Sequence, residues 1–137
     1  MDETPDIVTI IDTEYMALFY HPDHNIIHHE IRQRIPAGEF PRLLETGLKY
    51  LIKYKSKKWL SDDRCLYRLS PEDNEWGDNV WSPRMIEAGF RYWAVVCPPK
   101  GLGKIQVKRF AQENEERGVT AKVFDDYSQA FQWLISQ

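Results

Sequence analysis

Over the first third of the chain the apolar residues come in short runs rich in β-branched and aromatic side chains: "DIVTII" (6–11), "YMALFYH" (15–21) and "IIHHEIR" (26–32). Such runs read as strands, and the "PDHN" of Pro22 to Asn25 between the last two carries the turn chemistry of a hairpin. From Phe40 the period changes. Phe40, Leu43, Leu44, Gly47, Leu48, Leu51 and Ile52 recur at the three-and-four spacing of one helix face. The pattern predicts a long amphipathic helix, approached through Pro36 and Pro41 and ended at Ser56.

"KKWLSDD" (57–63) reads as a short strand. Ser70, Pro71 and Asp73 then have the order of an N-cap, a first helical residue and a first-turn acid. That helix is expected to run to about Ala88 and stop at Gly89, with Pro83 kinking or dividing it. "YWAVVCP" (92–98) is continuously apolar, as in a strand covered on both faces. A helix over 104–117 ending at Gly118, a strand over 119–124 and a last helix complete the chain. Asp126 with Gln129 resembles a capping box for that helix, whose apolar face is Tyr127, Ala130, Phe131 and Leu134. The order β-β-β-α-β-α-β-α-β-α implies an α/β fold with a mixed sheet, antiparallel at its start. Without a linker to divide them, residues 1–137 are expected to form one domain.

A hydrophobic content of 42% supplies a core, and the formal charge of −3 argues against nucleic acid as a partner. Lys53, Lys55, Lys57 and Lys58 are the one basic cluster, placed where cations complement a helix end. Cys65 and Cys97 are too far apart for a paired redox or zinc motif and read as buried free thiols of a reducing compartment. The start "MDETPDIVTI" has no basic leader, and no apolar run approaches the roughly 20 residues of a membrane span. The expectation is a cytoplasmic location.

Four segments carry a resemblance: "YHPDHNIIHHEI", "LKYLIKYKSKKWLSDDR", "SPEDNEWGDNVWSPRMIEAGFRYWAVVCP" and "VFDDYSQAFQWL". Together they resemble the small bacterial STAS-like proteins, relatives of the sporulation anti-anti-sigma factor, over roughly residues 12 to 136. The resemblance implies a mixed sheet with about four helices mainly on one side, used for protein interaction or small-ligand binding without catalysis. In the STAS switches a phosphorylatable Ser opens the second helix. Here "LSPEDNEWG" leaves Ser70 as the one hydroxyl at that turn, and the Pro that follows makes an N-cap the better account of it.

Several constellations bear on function. The expected parallel strands all end at one sheet edge, gathering Asp62, Asp63, Arg64, Lys100, Lys104, Asp125 and Asp126, and ligands of open α/β sheets bind at such an edge. An acidic metal or phosphoryl site there is the alternative, enzymatic reading. "PPKGLGK" (98–104) lacks a complete phosphate-loop pattern and reads as a surface turn. His21, His24, His28 and His29 cluster in the hairpin, but alternation sends His28 and His29 to opposite faces. They read as hairpin surface, with a His21/His28 cross-strand pair as the remaining alternative.

Trp59, Trp93 and Trp133 read as structural. Trp76 and Trp81 share a helix with Met85 and diverge by about 140° around it, so one of them is expected to be exposed or to line a groove. The leading reading is a non-enzymatic binding module for a protein partner or a small apolar or amphipathic ligand. Its candidate binding residues are Trp76, Trp81, Met85, Lys100 and Lys104, with no metal and no cofactor. A homodimer through the hairpin edge is a third reading.

Overall fold

The computed structural model describes residues 6–137. Six strands form a single sheet in the order β1-β2-β3-β4-β5-β6. They are β1 (Val8–Asp12), β2 (Met16–His21), β3 (Ile26–Ile31), β4 (Lys58–Asp62), β5 (Tyr92–Val96) and β6 (Thr120–Phe124). The first three pair antiparallel, and each later strand pairs parallel with the one before it. The architecture is the mixed α/β sheet that the pattern implies.

The helices are α1 (Glu39–Tyr54), α2 (Pro71–Trp76), α3 (Ser82–Glu87), α4 (Leu102–Glu116) and α5 (Tyr127–Ile135). A π-helical turn, Gly77–Trp81, joins α2 to α3 without a break. Pro83 accounts for that turn: it has no N–H to give the preceding turn, its ring would strike the carbonyl four residues back, and a widened turn accommodates both.

The connections α1, α2–α3 and α4 lie on one face of the sheet and α5 on the other. On the first face Leu43, Leu44 and Leu51 of α1, Trp81, Met85 of α3 and Val107 of α4 join Leu18, Ile27, Trp59, Trp93 and Val95 in the main core. On the second, Ala130 and Leu134 of α5 pack on Ile26, Leu60, Ala94 and Val96. Period-two alternation divides the strands this way: Trp59 and Ser61 of β4 face α1, Leu60 and Asp62 face α5. Coverage of both faces explains why β4 and β5 read as nearly unbroken apolar runs.

Two glycines permit close approaches that no other residue allows. At Gly47 of α1 a Cβ would fall 2.1 Å from the Trp59 ring, so the absence of a side chain lets the indole pass beneath the helix. At Gly103, in the first turn of α4, a Cβ would lie 2.6 and 2.7 Å from the carbonyl oxygens of Leu66 and Tyr67. "PPKGLGK" is therefore more than a surface turn, because its second glycine brings α4 against the loop that follows β4.

Strand β1 borders the sheet, with a bulge between Thr9 and Ile11. Short length and a bulge both discourage pairing of an edge with another chain. Among the described residues no helix is long and apolar enough to cross a membrane.

Candidate functional site

The chain leaves β3 and β4, adjacent and parallel, at the same edge of the sheet. A cleft of about 540 Å³ opens there, lined by Gln33 to Gly38 with Phe40 on one side and by Leu66 to Asp73 on the other. Its lining is amphipathic: Ile35, Phe40, Leu66 and Leu69 are apolar, while Arg34, Arg68, Glu72 and Asp73 are charged. A smaller chamber of about 30 Å³ shares Phe40, Leu66, Leu69 and Asp73 with the cleft and adds Asp63, Trp81 and Trp93. It is the inner end of the cleft.

Local structure fixes both walls. On the α4 side, Gly103 N donates to Tyr67 O at 3.1 Å, and the Gln106 amide accepts from Leu69 N at 2.9 Å while donating to Leu69 O at 3.2 Å. Ser70 Oγ then accepts from Asp73 N at 3.1 Å and caps α2. Across the cleft, α1 starts from Gly38 in the left-handed region, and Glu39 of its first turn bonds both Tyr15 and Arg42.

A buried relay lies beneath the inner chamber. Trp59 Nε1 donates to His29 Nδ1 at 3.0 Å, and His29 Nε2 meets Asp63 Oδ1 at 2.7 Å. Because the indole can only donate, Nδ1 of His29 must accept, and the ring proton sits on Nε2 facing the carboxylate. Trp81 packs edge-on against Trp59 with centroids 5.2 Å apart and donates from Nε1 to Leu44 O at 2.9 Å. Trp59 therefore orients His29, and His29 orients Asp63, while Trp81 is held separately by α1.

Several sequence expectations need correction here. Asp62 and Asp63 are consecutive in β4 and its exit, so they point to opposite faces and do not converge. Asp62 turns toward α5 and is held by Arg64 through two hydrogen bonds of 2.9 and 2.7 Å, which raises the guanidinium's already high pKa. Asp125 accepts from the Cys97 thiol at 3.5 Å, and Asp126 caps α5 through Gln129 N at 2.8 Å. The acidic edge is thus distributed among separate structural tasks. No three His, Cys, Asp or Glu side chains gather as a metal site would require among the described residues.

Apart from His24 in the turn, the histidines are not hairpin surface. His21, His28 and His29 are all buried. His28 and His29 do face opposite sides of the sheet, and His21 Nε2 lies 3.0 Å from His28 Nδ1, the cross-strand pair. Phe131 and Tyr127 of α5 cover that pair. Burial, with His21 and His29 nearby, lowers the His28 pKa to about 3, and burial lowers that of His21 as well. The sequence reading failed because it placed no helix over the hairpin's second face.

Trp81 and Met85 are interior, 3% and 0% exposed, so neither is part of an open helix surface. Trp81 instead lines the inner chamber, whereas Trp76 is half-buried against the main core. Lys100 is exposed in the loop before α4, and Lys104 reaches back to Pro99 O at 3.5 Å. Neither lysine lines the cleft. Cys97 is buried as expected but Cys65 is exposed. The residues missed are Arg34 and Arg68, each followed by an apolar residue and a nearby proline ("RIP", "RLSP") just beyond adjacent strands. That repeated placement was the available signal. The chain matches no protein-family model, no curated protein and no solved structure.

Proposed function

We propose that this chain is a non-enzymatic binding module for a small amphipathic ligand, held in the cleft between the β3–α1 and β4–α2 loops. The observation that carries the reading is an open, partly apolar cleft at the carboxyl edge of two parallel strands, bearing Arg34 and Arg68, which ion-pair with no acid among the described residues. Glu72 and Asp73 share the cleft but lie in the first turn of α2, where helix amides offset their charge. The two guanidiniums have no such compensation and suit an acidic head group, while Ile35, Phe40, Leu66 and Leu69 suit an apolar body. Location at a strand-end crevice is the usual one for ligands of open α/β sheets. A π turn at the inner end, a feature frequent at functional sites, adds support. The STAS-like resemblance, which implies interaction or ligand binding rather than catalysis, belongs to the same proposal.

Calorimetric titration of the protein with hexanoate, octanoate, decanoate and dodecanoate tests it. Saturable one-to-one binding that weakens by about tenfold for each of Arg34→Ala and Arg68→Ala is expected, the usual cost of a lost charged hydrogen bond. Binding that ignores both substitutions contradicts the assignment.

A further inference from the structure

The inner chamber differs in charge from the mouth of the cleft. Asp63 lines it while being only 6% exposed, and one of its carboxylate oxygens is committed to His29. No described group donates a hydrogen bond to the other oxygen. That oxygen is not among the sealed, unpartnered polar atoms, so it is open to a donor, and a cationic or strongly donating ligand group that replaces water there gains a charge-assisted bond.

The relay behind Asp63 has the form of a positioning device. Trp59 fixes the His29 tautomer and His29 fixes the carboxylate, so the free oxygen is held in place before any ligand arrives. His29 has no spare donor for a second task, because its Nδ1 is occupied by the indole. The chamber's volume of about 30 Å³ exceeds the roughly 10–15 Å³ that one water-sized group needs, so an ammonium has room there.

We propose that the ligand is a zwitterion with separated charges: an acidic group at the mouth against Arg34 and Arg68, an apolar spacer, and a terminal ammonium in the chamber against Asp63. The inference rests on the cleft being the binding site and specifies what its inner end selects. Trp81 and Trp93 line the chamber, so an ammonium seated there also lies among aromatic rings, whose faces attract cations.

The test sets each of hexanoate, octanoate, decanoate and dodecanoate beside its ω-amino counterpart in calorimetric titrations of the wild-type protein. The account expects at least one ω-amino acid to bind about tenfold or more tightly than the alkanoate of equal length, the gain ordinarily given by one charge-assisted bond. In Asp63→Asn, which keeps the shape of the side chain and removes its charge, the preference for the ω-amino acid over the alkanoate of equal length should vanish. Equal binding of the two series, or a preference that persists in Asp63→Asn, overturns the inner anchor and leaves the cleft assignment standing. Failure of both series to bind overturns the two together. The wild-type comparison decides the matter even if Asp63→Asn is poorly folded.

Discussion

Replacing Gly47 with Ala tests whether the packing beneath α1 is as tight as the geometry requires. Alanine is the better helix former by about 1 kcal/mol, so propensity alone favours the variant. Against that, the new methyl would stand 2.1 Å from the Trp59 ring, whereas carbon atoms rest about 3.5–4 Å apart. Either α1 lifts by more than about 1 Å or the indole swings away. The ring has little freedom, being fully buried, bonded to His29 and packed edge-on against Trp81. Overpacking of this kind costs about 1–3 kcal/mol, and displacing the indole would add about 1–3 kcal/mol for an unsatisfied buried donor.

The net expectation for Gly47→Ala is a loss of about 1–5 kcal/mol. At about 2 cal/mol/K of unfolding entropy per residue, a chain of 137 residues should lose roughly 4–18 °C of Tm. Differential scanning calorimetry and urea unfolding both read it. Gly77→Ala is the internal control, because a Cβ there meets only Phe110 at an ordinary 3.5 Å. It should be neutral or stabilising by up to about 1 kcal/mol. A Gly47→Ala protein as stable as wild type would refute the packing argument.

Other expectations follow from the same structure. Gly103→Ala forces a Cβ against two backbone oxygens, so the loop bearing Leu66 and Leu69 must move, and ligand binding should fall by about tenfold or more even where Tm drops by only a few degrees. Ser70→Ala removes a helix cap and should cost about 1 kcal/mol in urea unfolding, with a far smaller loss contradicting the cap. His28 has a folded pKa near 3 against an unfolded value of 6.5, so the unfolded chain takes the proton first as the solution is acidified. Stability is therefore full above about pH 6.5 and declines by up to about 1.4 kcal/mol per pH unit between there and about pH 3. The groups acting on that imidazole besides its burial are His21, His29, Asp62 and Arg64. His28→Phe should flatten the decline, and an equally steep profile in that variant would count against the assignment.

The strands, the parallel crossovers and the capped helices were legible because each has a local cause: alternation, a Ser or Asp cap, a Gly stop. Pro83 signalled a disturbance in the second helix, although the form it takes, a π turn, depends on how the helix packs. What escaped the sequence was long-range. Burial of His21 and His28 depends on α5 crossing to the second face, which no residue of the hairpin announces. That one of Trp76 and Trp81 would be exposed or line a groove was legible, but two indoles that diverge about one helix do not reveal which of them faces the sheet. Asp63 was singled out for the wrong company: grouped with Asp62 by adjacency, it is separated from it by the alternation of a strand. Arg34 and Arg68 went unnoticed because neither belongs to a known motif, and only the pairing of β3 with β4 brings their loops together.

The central claim is that the cleft between those loops holds the ligand. Amide chemical-shift mapping during titration with decanoate tests it most directly. The account predicts saturable shifts concentrated in residues 33–40 and 66–73, with the indole N–H signal of Trp81 among those affected. Shifts centred instead on Trp76, Lys100 and Lys104, on the β1 edge, or spread evenly over the surface would contradict it.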